Sequence, residues 1–263
     1  FPSFAIGGAQ VRFAALANHL GGSYRHAIIA MDGNYECLSR LAPDLDVVCP
    51  GIEIRKGDTV RAVFRFRRVL RDLRPDLLVT YNWGAIEWAA ANALPIARHI
   101  HMEDGFGPEE RAAQLPRRVL LRRLFLRRST VVVPSQTLLG IATRLWRLSP
   151  ERVRYIPNGV DLGRFAAPPA GAVPPRWPGE GPVIGSVGAL RAEKNLARLL
   201  QAFHLLHDAM PARLVIVGDG PERPALEALT QTLGLAGAVH FAGHVADPSP
   251  LYHSFDLLAL ASD

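Results

Sequence analysis

The feature that most constrains this chain is the alternation of short apolar runs with helical patterns from end to end. In the first half the strand candidates are His26–Ala30, Asp46–Cys49, Leu77–Thr80, Ile96–His101, Thr130–Pro134 and Val153–Pro157, with helical patterns near 9–20, 59–73, 84–93, 117–127 and 136–146. In the second half the strands are Val183–Val187, Leu214–Val217, Val239–Ala242 and Leu257–Leu260, with helices near 195–209, 222–233 and 248–254. Apolar runs of four to six residues separated by helices are the signature of parallel strands buried on both faces. Two such halves predict an α/β fold of two Rossmann-like doubly wound domains facing a cleft.

The border between the halves shows in two independent ways. Residues 166–182 hold six prolines, the pattern of a linker. Residues 1–165 carry 24 basic and 15 acidic side chains, whereas residues 166–263 carry 6 and 9. The expected parts are an N-terminal domain over 1–165, a Pro-rich linker over 166–182 and a partial C-terminal domain over 183–263. At 49% hydrophobic and 21% charged residues the composition is that of a globular chain rather than a disordered one. No apolar run approaches the roughly 18–20 residues of a membrane helix. The two cysteines, Cys37 and Cys49, form neither a disulfide framework nor a metal-ligand spacing. The chain opens at Phe1 and stops just after a strand candidate, so we expect it to be trimmed at both ends.

Several segments carry chemistry. Gly7-Gly8 stands between an expected opening strand, Phe4–Ile6, and a helix start, where free N–H groups favour an anion. Pro157-Asn158-Gly159-Val160-Asp161 reads as a turn, with Asp161 able to cap the segment after it. Gly188-Ala189-Leu190-Arg191 leads to Lys194 after a strand and before a helix, and a guanidinium fork beside a point charge suits a diphosphate leaving group. Val217-Gly218-Asp219-Gly220-Pro221-Glu222 closes the next strand, and Phe241-Ala242-Gly243-His244-Val245 the one after it.

These last four motifs, in this order and spacing, resemble those of family 4 nucleotide-sugar glycosyltransferases of the GT-B fold. The resemblance covers nearly the whole chain. It implies that the Gly7-Gly8 loop faces the donor phosphates, that Lys194 binds the diphosphate, and that Gly218, Gly243, His244 and Val245 belong to the donor side, the last three beside the nucleobase. The family's arginine usually follows the motif glycine directly, where this chain has Ala189; Arg191 would stand in for it. The family's E-x7-E motif would begin just beyond Asp263. The implied reaction moves a sugar from a UDP-, GDP- or ADP-linked donor to a glycan or lipid-linked acceptor with retention of configuration. It uses no enzyme nucleophile and requires no cofactor or metal, in keeping with the lack of a metal-ligand cluster in the sequence. The alternative is a non-catalytic GT-B binding or regulatory module. An epimerase of similar fold shares the architecture but not this motif order.

His99-Ile100-His101-Met102-Glu103-Asp104-Gly105-Phe106-Gly107 ends a strand in a cluster suited to acid-base work or hydroxyl recognition. In the resemblance His101 matches the histidine near the transferred sugar. Glu103 and Asp104 are candidates for acceptor binding, and His99 is read as packed on the other face of the strand. Two arginine-rich stretches, Arg61–Arg74 and Arg117–Arg128, admit three readings: solvated helix surface, anionic membrane surface, or nucleic acid, in that order of preference. The expected location is cytoplasmic, with the inner face of the plasma membrane as the surface the basic half would meet, and polysaccharide or lipopolysaccharide synthesis as the setting.

Overall fold

The computed structural model describes residues 1–52, 59–110, 113–167 and 175–262. It divides into two compact units, Phe1–Asn158 and Gly159–Asp263, so the division falls within the Asn158-Gly159 turn. Lys56 and residues 168–174 of the Pro-rich segment lie outside the described residues.

In the first unit β1 (His26–Ala27) pairs with β2 (Val47–Val48), while β3 (Leu77–Tyr81), β4 (Arg98–Met102), β5 (Thr130–Val133) and β6 (Val153–Tyr155) form a sheet in that order, every pair parallel. The helices are α1 (Gly8–Leu20), α2 (Thr59–Leu73), α3 (Ile86–Ala91), α4 (Pro116–Leu126) and α5 (Gln136–Gly140). Phe66 and Leu70, one turn apart on α2, bury against α3, with the Phe66 and Trp88 rings stacked at 4.2 Å. Leu126 of α4, Leu138 of α5 and Trp146 pack on Val131 and Val133. Pro116 occupies the first turn of α4, and the Ser135 hydroxyl caps α5 by accepting from the Leu138 N–H at 3.2 Å.

The expected opening strand at Phe4–Ile6 is absent. Phe4 is buried, but its N–H donates to the Asn34 carbonyl and its carbonyl accepts from Cys37, so its partners lie in an irregular turn rather than in a strand. The chain therefore enters α1 from a loop.

In the second unit β7 (Val183–Val187), β8 (Arg213–Val217), β9 (Val239–Gly243) and β10 (Leu257–Leu258) are parallel in the order β10-β7-β8-β9. The helices are α6 (Leu162–Ala166), α7 (Leu196–Ala209), α8 (Arg223–Thr232) and α9 (Ser249–Tyr252). The two-residue period of β8 divides the core. Leu214 and Ile216 pack with α7 and α8, while Val215 and Val217 face Val183, Trp177 and Phe255. A Cβ at Gly185 would lie 2.2 Å from the Phe255 ring, so glycine in β7 is what lets that ring close over the sheet. The Asp256 carboxylate accepts from the Val183 N–H at 2.7 Å and ties β10 to β7. Chain order changes direction between β7 and β10, which makes the carboxyl ends of these strands the switch point of the sheet.

Candidate active site

At the switch point the loop after β7 is held by the loop after β8. The Leu190 N–H donates to the Asp219 carbonyl at 3.0 Å, and the Glu222 N–H to the Leu190 carbonyl at 3.1 Å. A Cβ at Gly218, where φ is +136°, would lie 1.9 Å from the Gly188 carbonyl oxygen. Gly218 is thus a position where only glycine lets the loops after β7 and β8 pack this closely.

Leu190 is wholly buried, and its neighbours Ala189 and Arg191 are both exposed. Arg191 therefore leaves the loop on the solvent side, as Ala189 does. Lys194 is exposed at the end of the short turn that precedes α7, with its Cε 4.0 Å from the position a Cβ on Gly188 would take. Among the described residues neither Arg191 nor Lys194 forms an ion pair or a side-chain hydrogen bond. Two unpaired cations three residues apart at a strand's carboxyl end suit an anion of diphosphate size. Gly243, with φ +71°, gives its carbonyl to the Gly218 N–H at 2.8 Å; beside it His244 is exposed, while Val245 packs into the Val183 core.

In the first unit Gly7 precedes α1 with extended backbone and no side-chain cap, and a Cβ at Gly8 would meet nothing within 4 Å. Neither glycine is required by backbone strain.

The end of β4 and the loop that follows it split by face. His99, His101 and Glu103 are spaced two apart and share one face, where Glu103 meets Arg122 of α4, whereas Asp104 points toward α1. Both histidine rings meet the Thr80 hydroxyl at 2.8 Å, so His99 shares the face of His101 and does not lie opposite it. The chain of bonds runs on from His99 Nδ1 to Ser129 Oγ at 2.6 Å. Burial, with His101 adding to it, pushes the His99 pKa down to about 3, so the ring is neutral. His101 and Glu103 have no exposed surface, which corrects the reading of His101 as facing a transferred sugar and of Glu103 as an acceptor ligand.

Glu103 instead faces Arg122, whose Nε lies 3.3 Å from Oε2; Arg122 also holds Glu110 by two bonds of 3.1 Å. The buried guanidinium sits 5.0 Å from the ring centroids of Trp83 and Trp146 and 5.2 Å from that of Phe106. Arg118, one turn earlier on α4, donates to Glu109 at 2.6 Å and Glu110 at 3.0 Å. Burial pushes the Glu110 carboxyl up, but the hydrogen bonds from Arg122 and Arg118 outweigh it and leave the group below the usual carboxylate range. The second arginine-rich stretch thus contains a core ion, not only a solvated surface.

Asp104 is held by Arg12 of α1 through two bonds of 2.7 and 2.9 Å, and Arg12 also donates to the Asn158 side chain. Asn82, at φ +53° and ψ −178°, accepts from the Asp104 N–H at 2.8 Å, joining the loops after β3 and β4. That backbone region is nearly reserved for glycine, and a non-glycine held there is a strained position of the sort functional sites retain. Asn82, Trp83, Asp104, Phe106, Glu109 and Arg118 line an open cleft of about 510 Å³ within this unit. Arg12, Asn82 and Trp83 were not singled out from the sequence. Arg118 and Arg122 had a signal, being one helical turn apart and close in sequence to Glu109-Glu110.

Comparison with known proteins identifies the family and the fold. The profile described as Glycosyltransferase Family 4 matches residues 6–164, and that described as Glycosyl transferases group 1 matches residues 181–263. The lipopolysaccharide core biosynthesis glycosyltransferase LpsE of Rhizobium meliloti is 32% identical over 124 residues, 47% of this chain and 35% of that protein. A GDP-mannose-dependent alpha-(1-6)-phosphatidylinositol monomannoside mannosyltransferase of Mycobacterium tuberculosis is 34% identical over 114 residues, 41% of this chain and 30% of that protein. The matched parts thus span about a third of the length of these two curated relatives. Anabaena Alr3699/HepE in complex with UDP-glucose superposes with a TM-score of 0.74 at 18% identity, covering 99% of this chain and 72% of that one. WaaG, a glycosyltransferase involved in lipopolysaccharide biosynthesis, superposes at 0.65 with 16% identity over 97% of this chain and 72% of its own. These likenesses establish the GT-B fold, and with the profile over residues 6–164 this chain belongs to Glycosyltransferase Family 4.

Proposed function

We propose that the protein transfers a sugar from a nucleotide-sugar donor to a hydroxyl of a glycan or lipid-linked acceptor, with retention of configuration and without a metal. The observation that carries this reading is the exposed, unpaired Arg191 and Lys194 at the switch point of the second unit. Arg191 and Lys194 bind the donor diphosphate and stabilise the charge that grows on it as the glycosidic bond breaks. Gly243, His244 and Val245 supply the segment beside the base, with Val245 anchored in the core so that the backbone of His244 is presented. Asp104, fixed by Arg12 and Asn82, accepts from acceptor hydroxyls at the cleft of the first unit. Among the relatives, LpsE bears a lipopolysaccharide core name and the mycobacterial enzyme a phosphatidylinositol mannoside name, which favours a lipid-linked acceptor.

The test is nucleoside diphosphate release from UDP-, GDP- and ADP-sugars by the full-length gene product, with and without EDTA. One base should support turnover unaffected by the chelator. Lys194→Ala should lower kcat/KM roughly 100-fold or more, the scale of losing one preorganised partner of a developing anion. The second reading, a non-catalytic module, draws on Ala189 at the usual arginine position. It predicts no release from any donor while nucleoside diphosphate still binds.

A further inference from the structure

At the opposite edge of the first unit, where β4 and β5 begin and α3 and α4 end, lies a pocket of about 200 Å³. Among the described residues its lining includes Arg98, Arg127 and Arg128 and no carboxylate. All three arginines are exposed, and among the described residues none of their guanidinium groups has an ion-pair or hydrogen-bond partner. Its polar lining includes His99 and Ser129, already bonded to each other at 2.6 Å, with His99 neutral.

The rim is built, not loose. The Asn92 side chain accepts from the N–H groups of Ile96 and Ala97 at 2.8 and 3.2 Å and donates to the Ala97 carbonyl at 2.9 Å. From α2, Arg67 donates to the Ala91 and Leu94 carbonyls at 2.7 and 2.9 Å and clamps the same loop. The carboxyl ends of α3 and α4 bring at most about half a negative charge each, so three guanidinium groups leave a clear positive surplus. Such a surplus of fork-shaped donors around a rigid pocket, with no resident acid, selects a compact tetrahedral oxyanion.

We propose that this pocket binds the oxyanion of a phosphate group. The same chemistry has two sources, a free phosphate or phosphate ester in solution and the headgroup of an anionic phospholipid. The exposed Leu94 and Leu124 beside it could enter a lipid surface. The proposal does not depend on sugar transfer, so its failure and the failure of that reading are separate events.

The test uses the whole protein in two arms: calorimetric titration with inorganic phosphate, and sedimentation with phosphatidylcholine vesicles with and without phosphatidylglycerol. Saturable binding in at least one arm is expected. Arg127→Gln with Arg128→Gln should weaken it about tenfold or more, the scale of losing charge-assisted bonds. Ala93→Glu, which sets a carboxylate among the three arginines, should do the same with every arginine intact. Arg25→Gln with Arg144→Gln removes equal charge elsewhere and should change binding less than about twofold. Binding of phosphate alone assigns the site to a soluble ester, and binding of phosphatidylglycerol vesicles alone assigns it to a headgroup. No saturable binding in either arm, or an equal loss in the Arg25/Arg144 pair, overturns the proposal.

Discussion

Replacing Arg122 by Leu tests the reading of the second arginine-rich stretch as part of the core. The substitution removes the guanidinium that faces Glu103 and one of the two that hold Glu110, Arg118 remaining at 3.0 Å; both carboxylate side chains have no exposed surface. Breaking a buried pair by deleting one partner costs about 3–5 kcal/mol, because the remaining charge stays buried and unmatched. For a unit of this size each kcal/mol is worth roughly 2–4 °C, so the thermal transition of the first unit should fall by roughly 6–20 °C. The pH dependence separates this cause from simple loss of packing. In the parent, Glu110 is held below its ordinary value, so its contribution is constant above the unfolded pKa of about 4.3 and is lost only as pH falls through the folded value. In Arg122→Leu, burial of Glu110 is opposed by Arg118 without Arg122, so its carboxyl rises from the parent value and protonation relieves part of the cost as pH falls. The difference between parent and variant, followed by circular dichroism, should therefore shrink between pH 7 and pH 5. The contribution of His99 is common to both and cancels. A deficit below about 1 kcal/mol, or one that stays constant over that range, would refute the argument.

Two further predictions rest on single atoms. His99, with its folded pKa near 3, holds stability that is present above the unfolded pKa of about 6.5 and is lost as pH falls below it. By pH 5 that loss should reach about 2 kcal/mol, and His99→Gln should flatten this part of the stability curve. Gly218→Ala must place a methyl group 1.9 Å from the Gly188 carbonyl, so it should cost roughly 3 kcal/mol or more in urea unfolding, with the loop carrying Lys194 displaced.

Much of the fold was legible because buried parallel strands announce themselves as apolar runs. Val183–Val187 and its three successors fall where the sequence puts them, and Asp161 caps α6 by accepting from the Gly163 N–H at 3.0 Å. Phe4–Ile6 misled because an apolar run signals burial, and burial does not require a strand. The site was less legible, and part of that loss was avoidable. A period of two places His99, His101 and Glu103 on one face, so reading His99 as opposed to His101 conflicts with strand geometry itself. Arg122 was masked for another reason. A guanidinium is counted as surface unless its partners are known, and Glu103, Trp83 and Trp146 reach it only through the tertiary fold. Asn82 carries no sequence mark at all, since its strained backbone is visible only as a pair of angles.

How each unit disposes of its charge bears directly on where an anion can bind. At the carboxyl edge of the first unit, Arg12 is matched by Asp104, Arg118 by Glu109 and Glu110, and Arg122 by Glu103 and Glu110. An incoming diphosphate there would have to displace a carboxylate from its arginine, at a loss comparable to the bond it gains. What that edge offers is an oriented acceptor group, the Asp104 carboxylate, which suits a neutral polyol bearing many hydroxyl groups. In the second unit Arg191 and Lys194 have no such partner among the described residues, so a diphosphate gains their charge without breaking an ion pair. The acidic balance of residues 166–263 is no obstacle, because Asp219 and Glu227 are engaged by Arg223 and not by these two cations. The net charge of a half therefore does not locate its anion site; the cations left unpaired do.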